Sequence, residues 1–411
     1  MAEQGYLDSR YSWARLGVTL AIATVGNVGM WSVVVILPAM QAEFGISRGE
    51  ASLPYTLTML GFALGNLVIG RAVDRFGVTR ALIGAALVTA LGYLGAALSP
   101  GVSLATAAHF LIGLGTAASF GPLIADVSHW FLRRRGIAVA VAASGNYLSG
   151  AVWPMLLAGV LAEQGWRAVC VVLAVVVPAL VIPMALLLRR RVPELSAGAA
   201  ARAAAASRAA AGFSPRALMW LLAAAGIGCC VAMAMPQVHI VALCVDLGFG
   251  PAVGAEMLAL MLLAGVVSRL VFGLLADRLG GVLTLLIGSV LQAIALMLYL
   301  PAGGLVSLYL VSVIFGLAQG GIIPAYALIV RAYMPAREAG ARVGFVMMAT
   351  ILGMGLGGWM SGWIFDLTGS YQLAFLNGIA WNAVNIAIML LILWRTRRGG
   401  RKPAQALPGL A

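Results

Sequence analysis

Apolar residues run along this chain in long unbroken blocks separated by short polar connections, with neither the two-residue alternation of a strand nor a one-sided helical stripe. The blocks, bounded by charge, proline or glycine, fall at residues 16–39, 51–72, 80–99, 103–126, 136–160 and 166–188. Six more follow at 217–243, 252–275, 281–300, 304–330, 340–363 and 371–394. Each is near the roughly 20 residues a helix needs to cross a bilayer, and over such a run in lipid only a helix satisfies its own backbone hydrogen bonds. The pattern predicts an all-α membrane protein of twelve transmembrane helices.

Composition agrees. Of 411 residues, 62% are hydrophobic and 9% charged, and the mean hydropathy is +1.02, whereas soluble domains are about half apolar and about a quarter charged. The net charge of +13 is scattered in short clusters between the apolar blocks, so no nucleic-acid partner is expected. Its arrangement is topological. Counted by alternate connections, 23 of the 26 Lys and Arg residues fall on one side, Arg48 and Arg167 fall on the other, and Arg269 lies inside a span. Basic residues stay on the cytoplasmic side, so both termini are expected there, in a plasma membrane of the bacterial inner-membrane type and in contact with its lipid. The first fifteen residues carry Glu3, Asp8, Arg10 and Arg15 without the core of a removable signal, so the first span is expected to be retained. Cys170, Cys229, Cys230 and Cys244 lie in or beside apolar blocks and read as small hydrophobes. No spacing suggests a metal, a cofactor or a nucleophilic cluster, so neither an enzyme nor a receptor is expected.

One long connection, 189–216, is rich in Ala, Ser and Arg and divides the spans six and six. The expected organisation is a six-helix bundle over 1–188, a cytoplasmic linker over 189–216, and a second bundle with a tail over 217–411. The linker could lie as a helix on the anionic leaflet or serve as a flexible tether. The halves are pseudo-repeats. Gly70-Arg71-Ala72-Val73-Asp74-Arg75-Phe76-Gly77 returns 203 residues later as Gly273-Leu274-Leu275-Ala276-Asp277-Arg278-Leu279-Gly280. Arg133 and Gly136 meet Arg337 and Gly340 at an offset of 204, as Gly165 meets Gly369. Gly70, Asp74, Arg75, Gly77 and Arg80, with the shorter Gly273, Asp277 and Arg278, are expected to form a conformational latch. Glycine allows close helix approach and positive φ, aspartate can pair with arginine or a helix N-terminus, and arginine can face lipid phosphate.

This motif resembles the signature of the major facilitator superfamily. The run His129-Trp130-Phe131-Leu132-Arg133-Arg134-Arg135-Gly136-Ile137-Ala138 through Gly145 is similar to the opening of the fifth helix in its monocarboxylate branch. Gly357-Gly358, Gly362, Asp366, Thr368-Gly369-Ser370-Tyr371 and Phe375 resemble the eleventh-to-twelfth helix region of that branch, which includes oxalate and formate carriers. The resemblance implies two bundles rocking about a substrate site at mid-membrane.

Arg269 is the leading site residue. A cation near the bilayer centre costs roughly 2.5 to 3.5 kcal/mol, so it is tolerated mainly where it faces a wet cavity or a partner. Its planar fork suits one carboxylate; the other reading is a side chain that reaches the interface or ties two helices. Where a second cation would stand, the eleventh span offers Met347, Met348 and Thr350, which points to one carboxylate, and the resemblance implies a small organic monocarboxylate of the lactate or pyruvate kind. Carrying an anion into a negative interior costs about 2.3 kcal/mol per charge per 100 mV, so a proton is the expected co-substrate. The animal carriers of this branch have an acidic residue one turn before the corresponding arginine; here it is Gly265. Proton-coupling candidates are therefore Asp246 and His109, the histidine that lies clearly inside a span, while Glu256 is turned about 220° from Arg269 on one helix. Asn27, Trp31, Asn146, Tyr147, Gln319 and Tyr326 are expected to complete the pocket, although such groups also hydrogen-bond between helices. A drug or metabolite exporter, or an anion exchanger of the same fold, is the alternative, with Arg269 structural.

Overall fold

The computed structural model describes residues 7–128, 130–131, 134–190, 213–334 and 336–399. Most of the expected linker, the tail after 399, His129 and Arg133 lie outside the described residues, as do the side chains of Asp74 and Asp277. Among the described residues, eleven helical stretches are long and apolar enough to cross a membrane. One of them, Ile137–Leu187, has 51 residues, about twice what a bilayer accommodates. It reverses at Gly165, where φ is 78° and ψ 177°, and so supplies the fifth and sixth of twelve spans.

The first span is two helices, Arg10–Gly26 and Val28–Phe44, parted at Asn27. The second is Arg48–Phe76, the third Val78–Ala97, and the fourth is Val102–Thr116 and Gly121–Ser128 joined by a 3₁₀ turn. Pro215–Asp246, Pro251–Leu279 and Gly281–Tyr299 are the seventh to ninth. The tenth breaks between Leu305–Gln319 and Ile322–Tyr333, and Ala336–Thr368 and Gln372–Gly399 complete the set. A helix interrupted at membrane depth leaves backbone polar groups to be satisfied inside the protein, which is where such groups can serve a solute.

The pseudo-repeat is three-dimensional. Positive-φ glycines recur at Gly45 and Gly248 and at Gly77 and Gly280, 203 residues apart, and at Gly165 and Gly369, 204 apart. The breaks in the fourth and tenth spans obey the same offset. So does the tightest packing: Gly113 lies against the carbonyl of Thr58, and Gly316 against that of Met261. A Cβ on either glycine would overlap the facing oxygen, so both helix pairs depend on a missing side chain.

One apolar core, which includes Ile22, Tyr93, Trp166 and Val177, belongs to the N-terminal half. A small separate cluster gathers Leu16, Val127, Trp130 and Phe131, and a larger core fills the C-terminal half and reaches across to Trp31, Val33, Leu37, Ala51, Tyr55, Met59, Tyr147 and Ala151. Those residues sit in the arginine-poor half of the first and second spans and at the middle of the fifth. The two halves are therefore sealed together on the arginine-poor face. On the arginine-rich face a Cβ at Gly70 or Gly273 would meet nothing within 4 Å, so the close approach expected of the latch is not made in this state. Gly77 and Gly280 do hold the expected positive φ, and their N–H groups close the helix ends on Val73 and Ala276.

Candidate functional site

Arg269 is set by the eighth span against the break in the tenth. Ser268 Oγ donates to the Leu317 carbonyl at 2.6 Å, and Arg269 Nε donates to the Gly320 carbonyl at 3.1 Å. Its Nη1 donates across to the Ala143 carbonyl on the fifth span of the other half. The guanidinium carbon lies 4.1 Å from the centroid of the Tyr147 ring. Arg269 thus reaches neither lipid nor interface: it is buried, 4% exposed, at the seam between the halves.

Its charge is not balanced. Among the described residues the ion pairs join Arg15 to Asp126, Arg48 to Asp246 and Arg167 to Glu43, and no carboxylate stands within salt-bridge distance of Arg269. Two carbonyl dipoles and an aromatic face offset only part of the desolvation cost of a buried cation, which runs to several kcal/mol. The pseudo-repeat partner of Arg269 is Asn66, which merely donates to Phe62 on its own helix, so the cation is particular to the C-terminal half. Gly265 has a steric cause: a Cβ there would come within 2.9 Å of the Tyr147 ring. The ring that flanks the guanidinium occupies the room an acidic side chain would need.

Several other predicted residues gather here. Asn27, at the break in the first span, donates to the Ala23 carbonyl at 2.7 Å and the Ser119 carbonyl at 3.0 Å. It accepts from Asn146 Nδ2 at 3.2 Å, and Trp31 Nε1 donates to the Asn146 carbonyl at 2.9 Å. Tyr147 is the next residue. The four therefore tie the first, fourth and fifth spans together beside Arg269. Gln319 precedes Gly320 and accepts from Gln237 at 2.8 Å. Among the described residues Gln319 Nε2 is buried without a partner, while the buried Tyr147 hydroxyl has only the Arg269 guanidinium to interact with. An unmet buried polar group is a standing cost, and Gln319 stands one residue before the carbonyl that Arg269 Nε meets.

Tyr326 does not join them: its hydroxyl donates to Asn385 at 3.1 Å, in a separate polar group with Ser289 and Asn382. His109 is bonded through Nδ1 to Ala105 on its own helix at 2.8 Å, with Nε2 buried and unpartnered. Asp246 lies beyond the far end of the eighth span, and Arg269 is 18 residues past Pro251, about 27 Å along the helix. It pairs with Arg48 at 2.9 Å. A cavity of about 260 Å³ between the second and third spans, lined by Val68, Phe76 and Arg80 among others, is almost wholly apolar and separate from this site.

A second constellation, on the arginine-poor face, was not anticipated. The Arg48 and Gly49 N–H groups donate to the two Asp366 oxygens at 2.7 and 2.6 Å. Arg48 Nη2 donates to Asp246 and Nη1 to the Tyr371 hydroxyl at 3.0 Å, with the guanidinium 4.9 Å from the Phe365 ring. His239 completes the group and corrects the reading of His109 as the histidine inside a span: it lies in the seventh span, fully buried. Its number falls in an apolar block of the sequence, which was the available signal. Arg48 read only as a topological charge because its partners lie 198 to 323 residues away.

A family model described as Major Facilitator Superfamily matches residues 19–305 and 240–408. Among curated relatives, "Monocarboxylate transporter 13" of Bos taurus is 28% identical over 313 residues, 75% of this chain and 72% of that protein. "Monocarboxylate transporter 11" of Homo sapiens is 26% identical over 392 residues, 90% of this chain and 80% of that one. Among solved structures, a bacterial homolog of the human lysosomal transporter Spinster, inward-facing and unoccupied, superposes with a TM-score of 0.75 at 13% identity, covering 96% of this chain and all of its own.

Proposed function

The chain belongs to the Major Facilitator Superfamily, a multi-pass membrane transporter fold, and from that premise we propose that it carries a small organic monocarboxylate together with a proton by alternating access. The observation that carries this reading is the buried charge of Arg269, which no carboxylate balances among the described residues. A site that holds a cation without an anion is complementary to a solute that brings one. Relatives named as monocarboxylate transporters support the same class.

In this reading Arg269 grips the carboxylate, Tyr147 and Gln319 donate to its oxygens, and Asn27, Trp31 and Asn146 hold Tyr147 in place. Nη1 spends its hydrogen bond on Ala143 in the other half. The second Nη1 hydrogen and those of Nη2 are left for a carboxylate, and a solute that draws the guanidinium toward itself strains a contact between the halves. The solute thereby acts on the rocking equilibrium through its differential affinity for the two states. Met347 and Thr350, whose hydroxyl is turned to the Met347 carbonyl at 2.7 Å, add no second cation, which favours one carboxylate over two. The arginine-rich face is the cytoplasmic one by charge asymmetry, and the host is the bacterial inner membrane.

The test is uptake into proteoliposomes of a panel of mono- and dicarboxylates with and without an inward proton gradient. Monocarboxylate accumulation stimulated by the gradient is the expected result. Failure of every carboxylate at every pH, with the protein folded, sinks the reading in favour of an exporter of neutral or cationic solutes.

A further inference from the structure

We infer that His239 is the proton-binding site of this carrier, and that it loads when the arginine-poor face opens. The inference rests on proton co-transport as proposed above and gives the proton a location neither His109 nor Asp246 supplies.

Hydrogen-bond direction carries the argument. His239 Nε2 lies 2.7 Å from the Gly358 carbonyl, which can only accept, so Nε2 bears a hydrogen. Nδ1 lies 3.1 Å from the Tyr371 hydroxyl, and that oxygen already accepts from Arg48 Nη1. Burial raises the Tyr371 hydroxyl far above its ordinary range, so it keeps its hydrogen. With neutral His239 the chain is complete: Arg48 donates to Tyr371, Tyr371 donates to Nδ1, and Nε2 donates to Gly358. With protonated His239, Nδ1–H and Nη1–H both point at one oxygen, the tyrosine hydrogen loses its acceptor, and two cations converge. The closed face is built for neutral histidine.

Opening reverses the balance. Arg48 belongs to the N-terminal half and is the cation facing His239 from the second span. Asp246 on the same helix, Asp366 on the eleventh span and Tyr371 after it belong to the C-terminal half. When the halves part on this face, Arg48 leaves and two carboxylates stay. A histidine that loses a cationic neighbour and keeps anionic ones binds its proton more tightly. More protons are bound in the open state, so acid favours opening and alkali favours closure.

The pseudo-repeat shows that this face is specialised. Glu43 and Arg167 form an ion pair within the N-terminal half. Their partners in the second half are Asp246 and Tyr371, 203 and 204 residues on. A tyrosine stands where the arginine was, the cation is supplied by the opposite half, and the tyrosine alone can pass a hydrogen bond to His239. The equivalent of His239 is Ile36, fully buried and apolar.

The test needs no substrate. The four native cysteines are buried, so spin labels go to Glu163→Cys and Gly303→Cys, one per half on this face; Glu163 is exposed and a Cβ at Gly303 meets nothing within 4 Å. Interlabel distances are measured in nanodiscs between about pH 5 and about pH 8, the range in which histidine changes charge. The expected result is a growing long-distance population as pH falls. His239→Gln, which can still donate to Gly358 and accept from Tyr371, should abolish the pH response. Tyr371→Phe, which cuts the link to Arg48, should shrink it and raise the open fraction at pH 8. A distribution indifferent to pH, or a full response in both variants, overturns the inference. Failure of the carboxylate panel leaves this measurement standing, whereas gradient-driven uptake that persists in His239→Gln removes the proton from His239 without touching the substrate assignment.

Discussion

Asp366→Asn isolates the lock on the arginine-poor face. The native carboxylate takes two N–H groups, 2.7 and 2.6 Å away, at the start of the second span. Each bond to a charged acceptor contributes roughly 1.5 to 3 kcal/mol, against about 0.5 to 1.5 for a neutral one, and the helix N-terminus adds roughly 0.3 to 1 for the charge. An amide keeps one acceptor and turns an NH2 toward the second N–H, so it forfeits one bond and weakens the other. Asp366 is exposed, which places the loss near the low end of these ranges, about 2 kcal/mol against the closed state and roughly 30-fold in the closed-to-open ratio. The helix itself should survive, because Ser47 and Glu50 form a capping box on its first turn. Interlabel distances at fixed pH read the population, and a thermal melt checks the fold. A closed fraction unchanged within twofold, with the melt intact, refutes this account of what holds the face shut.

Arg269→Lys keeps the charge but loses the fork, and proteoliposome uptake should fall at least about tenfold with expression intact, on the scale of a lost charge-assisted bond; unchanged uptake removes Arg269 from the site. Gly265→Ala drives a methyl to within 2.9 Å of the Tyr147 ring and should raise the apparent KM for the carboxylate, since the ring beside Arg269 must move; an unaltered KM means Tyr147 does not touch the solute. Gly113→Ala and Gly316→Ala should each lower the melting temperature by the equivalent of about 1 to 3 kcal/mol of overpacking, whereas Gly84→Ala, inside a helix with nothing within 4 Å, should leave it unchanged or raise it. Equal melts for all three contradict the close-packed helix pairs.

Much of the fold was legible because lipid imposes one rule on every span: length and hydropathy count crossings, and a repeated glycine turn gives the offset. Arg269 was legible for the same reason, as a charge where charge is costly. Its surroundings were not, because the Ala143 and Gly320 carbonyls are backbone groups without a residue-type signature. Gly265 read as a missing acid, although its meaning is the tyrosine ring facing it. Tyr326 and Gln319 lie one above the other in sequence logic, yet only Gln319 adjoins the carbonyl that Arg269 meets, since the helix between them breaks. Asp366 and Tyr371 were visible as family motif residues, but their partner Arg48 lies in the other half. Offsets of 203 from Glu43 and 204 from Arg167 lead to the altered pair, Asp246 and Tyr371.

The ion pair between Glu43 and Arg167 has a consequence for how the two halves relate. The N-terminal six helices pair Glu43 with their own Arg167 on this face and lend Arg48 across it, while the C-terminal six depend on that borrowed guanidinium and keep Arg269 without a carboxylate among the described residues. Despite their shared offset, the two are not exchangeable parts: a tandem of the first would lack the histidine that answers to acidity, and a tandem of the second would have no cation with which to shut.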